Sequence, residues 1–176
     1  MSDQKNGTIV QFNKHFKDAN TTKLRYRVML GSAGSGKSVN IAQDYILKLS
    51  HMPYAGANLM VVRSTEASNA SSTFSELVGA IHRMGLSEQW VIRTSPMYLE
   101  CKLTGCTVIF RGCNDTRAIE RIKSVTVKRG KLCWIWVEEA TEIKASDFEI
   151  LDDRLRGVLP SENLYYQITL SFNPIN

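Results

Sequence analysis

The clearest chemistry in this chain is carried by eight consecutive residues, Gly31, Ser32, Ala33, Gly34, Ser35, Gly36, Lys37 and Ser38. They satisfy the spacing G-x-x-x-x-G-K-[ST], which average composition produces in a chain of this length on the order of once in a hundred or less. Glycines let a backbone turn tightly and approach an anion with no side chain in the way. Successive N–H groups at a helix N-terminus aim partial positive charge at that anion. Lys37 is placed to reach the β- and γ-phosphates of a nucleotide, and the Ser38 hydroxyl to ligate Mg2+. The expected ligands are therefore a nucleoside triphosphate and Mg2+. The plainer reading, a glycine-rich turn capping a helix, leaves the adjacent Lys-Ser pair unexplained.

A second candidate is the pair Glu138-Glu139, which follows the apolar run LCWIWV. Carboxylates at the C-terminal tip of a central strand sit at the edge where open α/β sheets bind ligands. Glu138 is placed to hold Mg2+, through water if its extra methylene requires it. Glu139 is placed to take a proton from the attacking water or to orient it. Ser171, Phe172 and Asn173 end the last expected strand, and the short polar groups of Ser171 and Asn173 can reach the same edge, although on local chemistry alone a simple turn into Pro174 is the better explanation. Phosphoryl transfer also favours an arginine against the developing charge. Arg63 is the first candidate, at the end of an expected strand, with Arg129, Arg154 and Arg156 as alternatives. For the base, Tyr26, Arg27 and Gln11 are weak candidates.

The elements that must position these groups alternate. The spacing predicts a strand at Tyr26–Leu30, a helix over 37–49, a fully buried strand at Ala57–Arg63, and a helix through Phe74, Leu77, Val78, Ile81 and Met84 closed by Gly85. Segments 98–102 and 107–111 alternate around Thr104-Gly105, a hairpin pattern. A polar stretch over 114–130 carries Arg117, Arg121, Lys123, Lys128 and Arg129, bordered by Arg111 and Lys131. A central strand follows over 132–137. The next helix starts at Ser146 with a capping box to Glu149, runs through Leu151 and Leu155 and stops at Gly157. The last strand spans 165–171. This order predicts an α/β fold, a mostly parallel sheet with helices on both faces.

With 176 residues, 43% of them hydrophobic, the chain has the size and composition of one globular domain. Residues 1–24 read as an arm packing through Ile9, Val10, Phe12 and Phe16, and 25–176 as the domain proper. No apolar run is long enough to span a membrane, and the N-terminus has no signal-peptide core. The expectation is a protein that is not secreted. The four cysteines (101, 106, 113, 133) match no zinc spacing and read as buried thiols. His15, His51 and His82 are scattered, with no clustered partner. A net charge of +5 is compatible with a polyanionic partner. The basic stretch over 117–131 is a candidate contact for DNA phosphates, or else a solvated loop.

Taken in order, VMLGSAGSGKS, VVRST, WIWVEEATEI, LRG and LSFNP resemble the ATPase domain of tailed-phage terminase large subunits. The resemblance covers roughly residues 10–176. It implies a P-loop NTPase of the ASCE type that hydrolyses ATP to move double-stranded DNA into a procapsid in the host cytoplasm. It also implies a ring of copies working with a small terminase subunit and a portal. By position, Lys37 and Ser38 match the nucleotide and Mg2+ residues, Glu138 the Walker B acid, Glu139 the catalytic glutamate, and Ser171 to Asn173 the coupling motif. Many relatives carry an arginine inside the phosphate loop where this chain has Ala33, which draws attention to Arg63 or to an arginine from a neighbouring subunit. Relatives continue into a nuclease domain, so no nuclease activity is expected of these residues. The alternatives are another DNA-dependent ATPase or helicase-like motor and, further off, a small-molecule kinase. A binding module that has kept the loop without catalysis is a further rival.

Overall fold

The computed structural model describes residues 11–174. In chain order the main elements are α1 (Lys17–Thr21), β1 (Tyr26–Leu30), α2 (Lys37–Ser50), β2 (Ala57–Arg63), α3 (Glu66–Ser71), α4 (Thr73–Arg83), β3 (Trp90–Thr94), β4 (Met97–Cys101), β5 (Thr107–Gly112), α5 (Thr116–Lys123), β6 (Lys131–Glu138), α6 (Ala145–Arg154) and β7 (Gln167–Phe172). The strands form one seven-stranded sheet in the order β1-β7-β6-β2-β5-β4-β3. The run from β1 to β5 is parallel, and β4 and β3 are added antiparallel.

Because successive side chains on a strand point to opposite faces, the apolar runs of β2 and β6 supply two cores at once. Leu59, Val61, Trp134 and Trp136 pack with Ile41, Tyr45 and Leu49 of α2 and Leu77 and Ile81 of α4. On the other face Met60, Val62, Ile135 and Val137 pack with Ile119 and Ile122 of α5 and Leu151 of α6. The expected sheet with helices on both faces is therefore present. Phe16 packs against the first core, and Asn20 exchanges amide hydrogen bonds with Asn40 of α2. The described part of the arm is thus docked, while Ile9 and Val10 lie outside the described residues.

Gly85 closes α4 as expected. With φ 66° it allows Leu86 N–H to reach Ile81 O at 2.9 Å and Gly85 N–H to reach His82 O at 3.0 Å. The capping box at Ser146 does not form. The helix begins one residue earlier with Lys144 as N-cap and no side-chain cap, and the Ser146 hydroxyl turns to Asp147 instead. The stretch 114–130 is not all loop, since its first half is α5, capped by Asp115 accepting from Ala118 N–H at 2.8 Å. All four cysteines are free and buried, and burial pushes the Cys113 and Cys133 thiols up to about 11. No helix among the described residues is long and apolar enough to cross a membrane.

One polar cluster is built into the first core. Arg27 of β1 is 2% exposed. It pairs with Asp44 of α2 at 2.5 Å and donates to Thr169 of β7 at 2.9 Å. Lys48 also pairs with Asp44 at 2.9 Å, and the Tyr45 hydroxyl meets Thr169 at 2.6 Å. The strand before the phosphate loop, the helix after it and the neighbouring strand are pinned together by these contacts.

Candidate active site

The sheet register carries the three motifs to one edge. Leu30, after which the glycine loop begins, lies beside Phe172, and Ser171 lies beside Glu138. β7 therefore sits between the strand that feeds the loop and the strand that ends in the acids. Ligands in such sheets bind at the carboxyl ends of the strands.

Gly34 and Gly36 adopt φ of 76° and 82°. A Cβ at either would meet nothing within 4 Å, so the left-handed backbone, not crowding, calls for glycine there. The turn delivers Lys37 to the first position of α2. Its ammonium folds back onto acceptors of its own loop, Gly31 O at 2.5 Å, Ser32 O at 3.0 Å and Ser35 Oγ at 3.2 Å, and onto Asn173 Oδ1 at 3.2 Å. These are neutral acceptors, which phosphate oxygens would outcompete because charge-assisted hydrogen bonds are stronger. The loop, Lys37, Ser38, Glu138, Glu139 and Asn173 line a cavity of about 320 Å3.

Glu138 lies at the end of β6, on the face shared with α2. Its Oε1 accepts from Ser38 Oγ at 2.6 Å. Its Oε2 accepts from Trp136 Nε1 at 3.2 Å and from the Ser171 hydroxyl. Glu139 leaves the strand in the left-handed region, φ 53° and ψ 55°, and accepts from Asn173 Nδ2 at 3.4 Å. The Asn173 amide thus spans Lys37 and Glu139. Among the described residues no three His, Cys, Asp or Glu side chains converge on one point. The hard oxygens of Ser38 and Glu138 suit Mg2+, which is commonly held by one or two protein oxygens with phosphate and water completing the shell.

The expected loop residues, both acids, Phe172 and Asn173 are brought together here, with Ser171 beneath them. Arg63 is not. It ends β2 at the same edge, but its guanidinium donates to Ser72 Oγ at 3.2 Å and Glu142 Oε2 at 3.5 Å, outside the cavity lining. Arg27 cannot contact a base, because it is buried beneath α2 with Asp44, and Tyr26 packs on Phe148 of α6. Arg154 donates to Val125 O at 2.6 Å, and Arg156 O accepts from Lys131, the first residue of β6. Both arginines, with Arg129, therefore belong to the opposite edge of the sheet. Glu76 of α4 lines the cavity and was not singled out from the sequence. It sits on an ordinary amphipathic helix, in an ion pair with Arg83 at 3.8 Å, and no local motif marks it.

A sequence model of the phage terminase large subunit family matches residues 23–176. The large terminase subunit of Bacillus phage SPP1 is 30% identical over 171 residues, which is 93% of this chain and 39% of that protein. The chain thus spans about two fifths of that relative's length. The solved large terminase of a thermophilic bacteriophage superposes with a TM-score of 0.65 at 13% identity, over 92% of this chain and 37% of that one. Further structures of that phage protein are complexes with ADP and with ATP-γ-S. The ATPase domain of the Thermus phage P74-26 large terminase superposes at 0.55 with 15% identity, over 89% of this chain and 62% of that one. The observed sheet is the P-loop NTPase fold of these ATPase domains, and by its sequence match the chain belongs to the phage terminase large subunit family.

Proposed function

We propose that this chain hydrolyses ATP at the Lys37–Glu139 cavity and that the hydrolysis drives double-stranded DNA into a phage procapsid. The observation that carries the reading is the Ser38–Glu138 contact of 2.6 Å at the mouth of the glycine loop, with Glu139 next to it. In this reading the loop N–H groups cradle the phosphates, and Lys37 exchanges its carbonyl acceptors for β- and γ-phosphate oxygens. Ser38 and Glu138 would hold Mg2+. When bound, the ion neutralises charge on the β- and γ-phosphate oxygens. Glu139 orients a water and takes up its proton as the water oxygen bonds to the γ-phosphorus. The bond from that phosphorus to the β–γ bridging oxygen breaks, and ADP and phosphate leave. Asn173, in contact with both Lys37 and Glu139, passes the change to β7.

Arg63 is held outside the cavity by Ser72 and Glu142, so the arginine for the developing charge is assigned to a neighbouring copy in a ring. The small terminase subunit and the portal are the further partners this reading calls for, and the host cytoplasm its setting. Residues 25–176 would act as the ATPase unit, with the arm of residues 1–24 docked on it. DNA phosphates are assigned to the basic residues of 117–131. Several of these are already paired, Arg121 with Glu66, Lys123 with Glu120 and Lys128 with Glu100, which leaves a weaker field than the sequence count implies.

Phosphate release from ATP, measured with and without double-stranded DNA, tests the reading. Glu139→Gln should lower the rate by about a hundredfold or more while nucleotide still binds, in line with the usual worth of a general base. Lys37→Ala should lose nucleotide affinity. DNA should raise the rate, and the increment should fade with salt. Transfer to a panel of small acceptors in place of water would favour a kinase, and an unchanged rate in Glu139→Gln would remove the catalytic assignment.

A further inference from the structure

Trp136 is fully buried on β6, two residues before Glu138 and on the same face. Its indole N–H points along the strand toward the site, with Nε1 2.8 Å from Ser171 Oγ and 3.2 Å from Glu138 Oε2. The Ser171 hydroxyl donates to that same Oε2. One carboxylate oxygen therefore collects two buried donors, while the other faces Ser38 at 2.6 Å. Trp134, on the same strand and face, offers a contrast, because its indole N–H is buried with no partner. The environment thus accepts an indole for packing alone at one position and gives it a directed hydrogen bond at the other.

A glutamate has one more side-chain torsion than an aspartate, so its carboxylate has more rotamers among which to wander. We propose that Trp136 is a positioning residue. With Ser171 it fixes Oε2 of Glu138, so that Oε1 alone is presented beside Ser38 to a divalent cation. Because Ser171 belongs to β7, the same hydrogen bonds make that strand sensitive to what Oε1 binds. The inference rests on the reading of Ser38 and Glu138 as Mg2+ ligands.

The test is equilibrium binding of a fluorescent ADP analogue at stepped Mg2+ concentrations. Trp136→Phe keeps a ring in the core and removes the N–H. It should raise the Mg2+ half-saturation about tenfold or more, the usual cost of losing a group that orients a metal ligand. Binding in excess EDTA should not change. Ser171→Ala, which keeps the indole ring in the core while removing the hydroxyl that donates to Oε2, should shift the curve in the same direction, and so guards against a Trp136→Phe protein that does not fold. Trp134→Phe, which removes an N–H without a partner, should follow the wild type. The tryptophan emission change on adding Mg2+ to the ADP complex should survive in Trp134→Phe and vanish in Trp136→Phe. If the wild type depends on Mg2+ and both Trp136→Phe and Ser171→Ala trace its curve, the positioning role is wrong. If nucleotide binding by the wild type is indifferent to Mg2+, the cation reading fails, and this inference with it.

Discussion

Glu139 is the one non-glycine among the described residues with a positive φ, 53°. For an L-residue that conformation costs about 1–2 kcal/mol. Consecutive strand residues point to opposite faces, so an unbroken β6 would send Glu138 toward α2 and Glu139 toward α6. The left-handed turn brings the second carboxylate back into the cavity that the first already faces. The strain is thus the cost of using two adjacent acids at one site. Glu139→Gly should relieve it and be more stable than Glu139→Ala by about 1 kcal/mol, with both inactive. A urea midpoint displaced at constant slope would report this, and a glycine variant less stable than the alanine one would place the strain elsewhere. The acids and their shared site were legible in the sequence, but the left-handed turn that lets two adjacent strand residues face one cavity was not, because adjacency on a strand argues against it. Arg63 lies outside the cavity lining for a related reason. Its strand-end position was readable, but the direction of its side chain is set by Ser72 and Glu142, which lie on other elements.

At the scale of elements, the strands readable in advance were those with continuous apolar runs, such as β2 and β6, and the helices those with a clear apolar stripe, such as α4. The helix α5 was missed because its three buried positions, Ala118, Ile119 and Ile122, stand among basic residues that dominate the local composition. β3 was missed because Trp90–Thr94 is short, with Val91 and Ile92 only half-buried and Arg93 and Thr94 exposed. The buried cluster of Arg27, Asp44 and Lys48 was also invisible, since its members come from two elements and each looks like a surface residue in isolation. The loop depends on this cluster, because it clamps β1 to α2 directly below it. Asp44→Asn leaves two buried cations without their carboxylate and should cost about 3 kcal/mol or more, on the order of 10 °C in melting temperature. Burial already holds Lys48 below its ordinary pKa, and Asp44 opposes that shift. Without Asp44 the folded variant sheds the Lys48 proton more readily than the unfolded chain does. Its deficit should therefore shrink as pH rises toward 10, where only the folded form has lost the proton. Thermal melts of variant and wild type between pH 7 and 10 check both statements. A deficit that is small, or that grows with pH, would mean the cluster carries little of the joint.

Considered as a whole molecule, the sheet is unevenly finished. At one end the antiparallel pair β4–β3 shields the parallel strands. At the other end β1 pairs with β7 alone among the described residues, leaving its outer edge unpaired. The alternation of β1 buries Arg27 and Met29 under α2 and turns Tyr26, Val28 and Leu30 outward, the last two 58% and 61% exposed. A free edge with apolar side chains beside it is a template for strand addition by another chain. Opposing this is the net charge of +5, which keeps copies apart at low ionic strength and is screened beyond a Debye length of about 10 Å at 0.1 M salt. The two effects together predict self-association that grows with both protein concentration and salt, opposite to the salt dependence expected for DNA contact. Val28→Lys adds a charge to the exposed face and loses little packing, so it should suppress association while shifting stability by no more than about 0.5 kcal/mol. Sedimentation velocity across a salt series separates the possibilities. A wild type that stays monomeric at high salt, or a Val28→Lys protein that associates equally well, would mean that β1 is not the sticky edge.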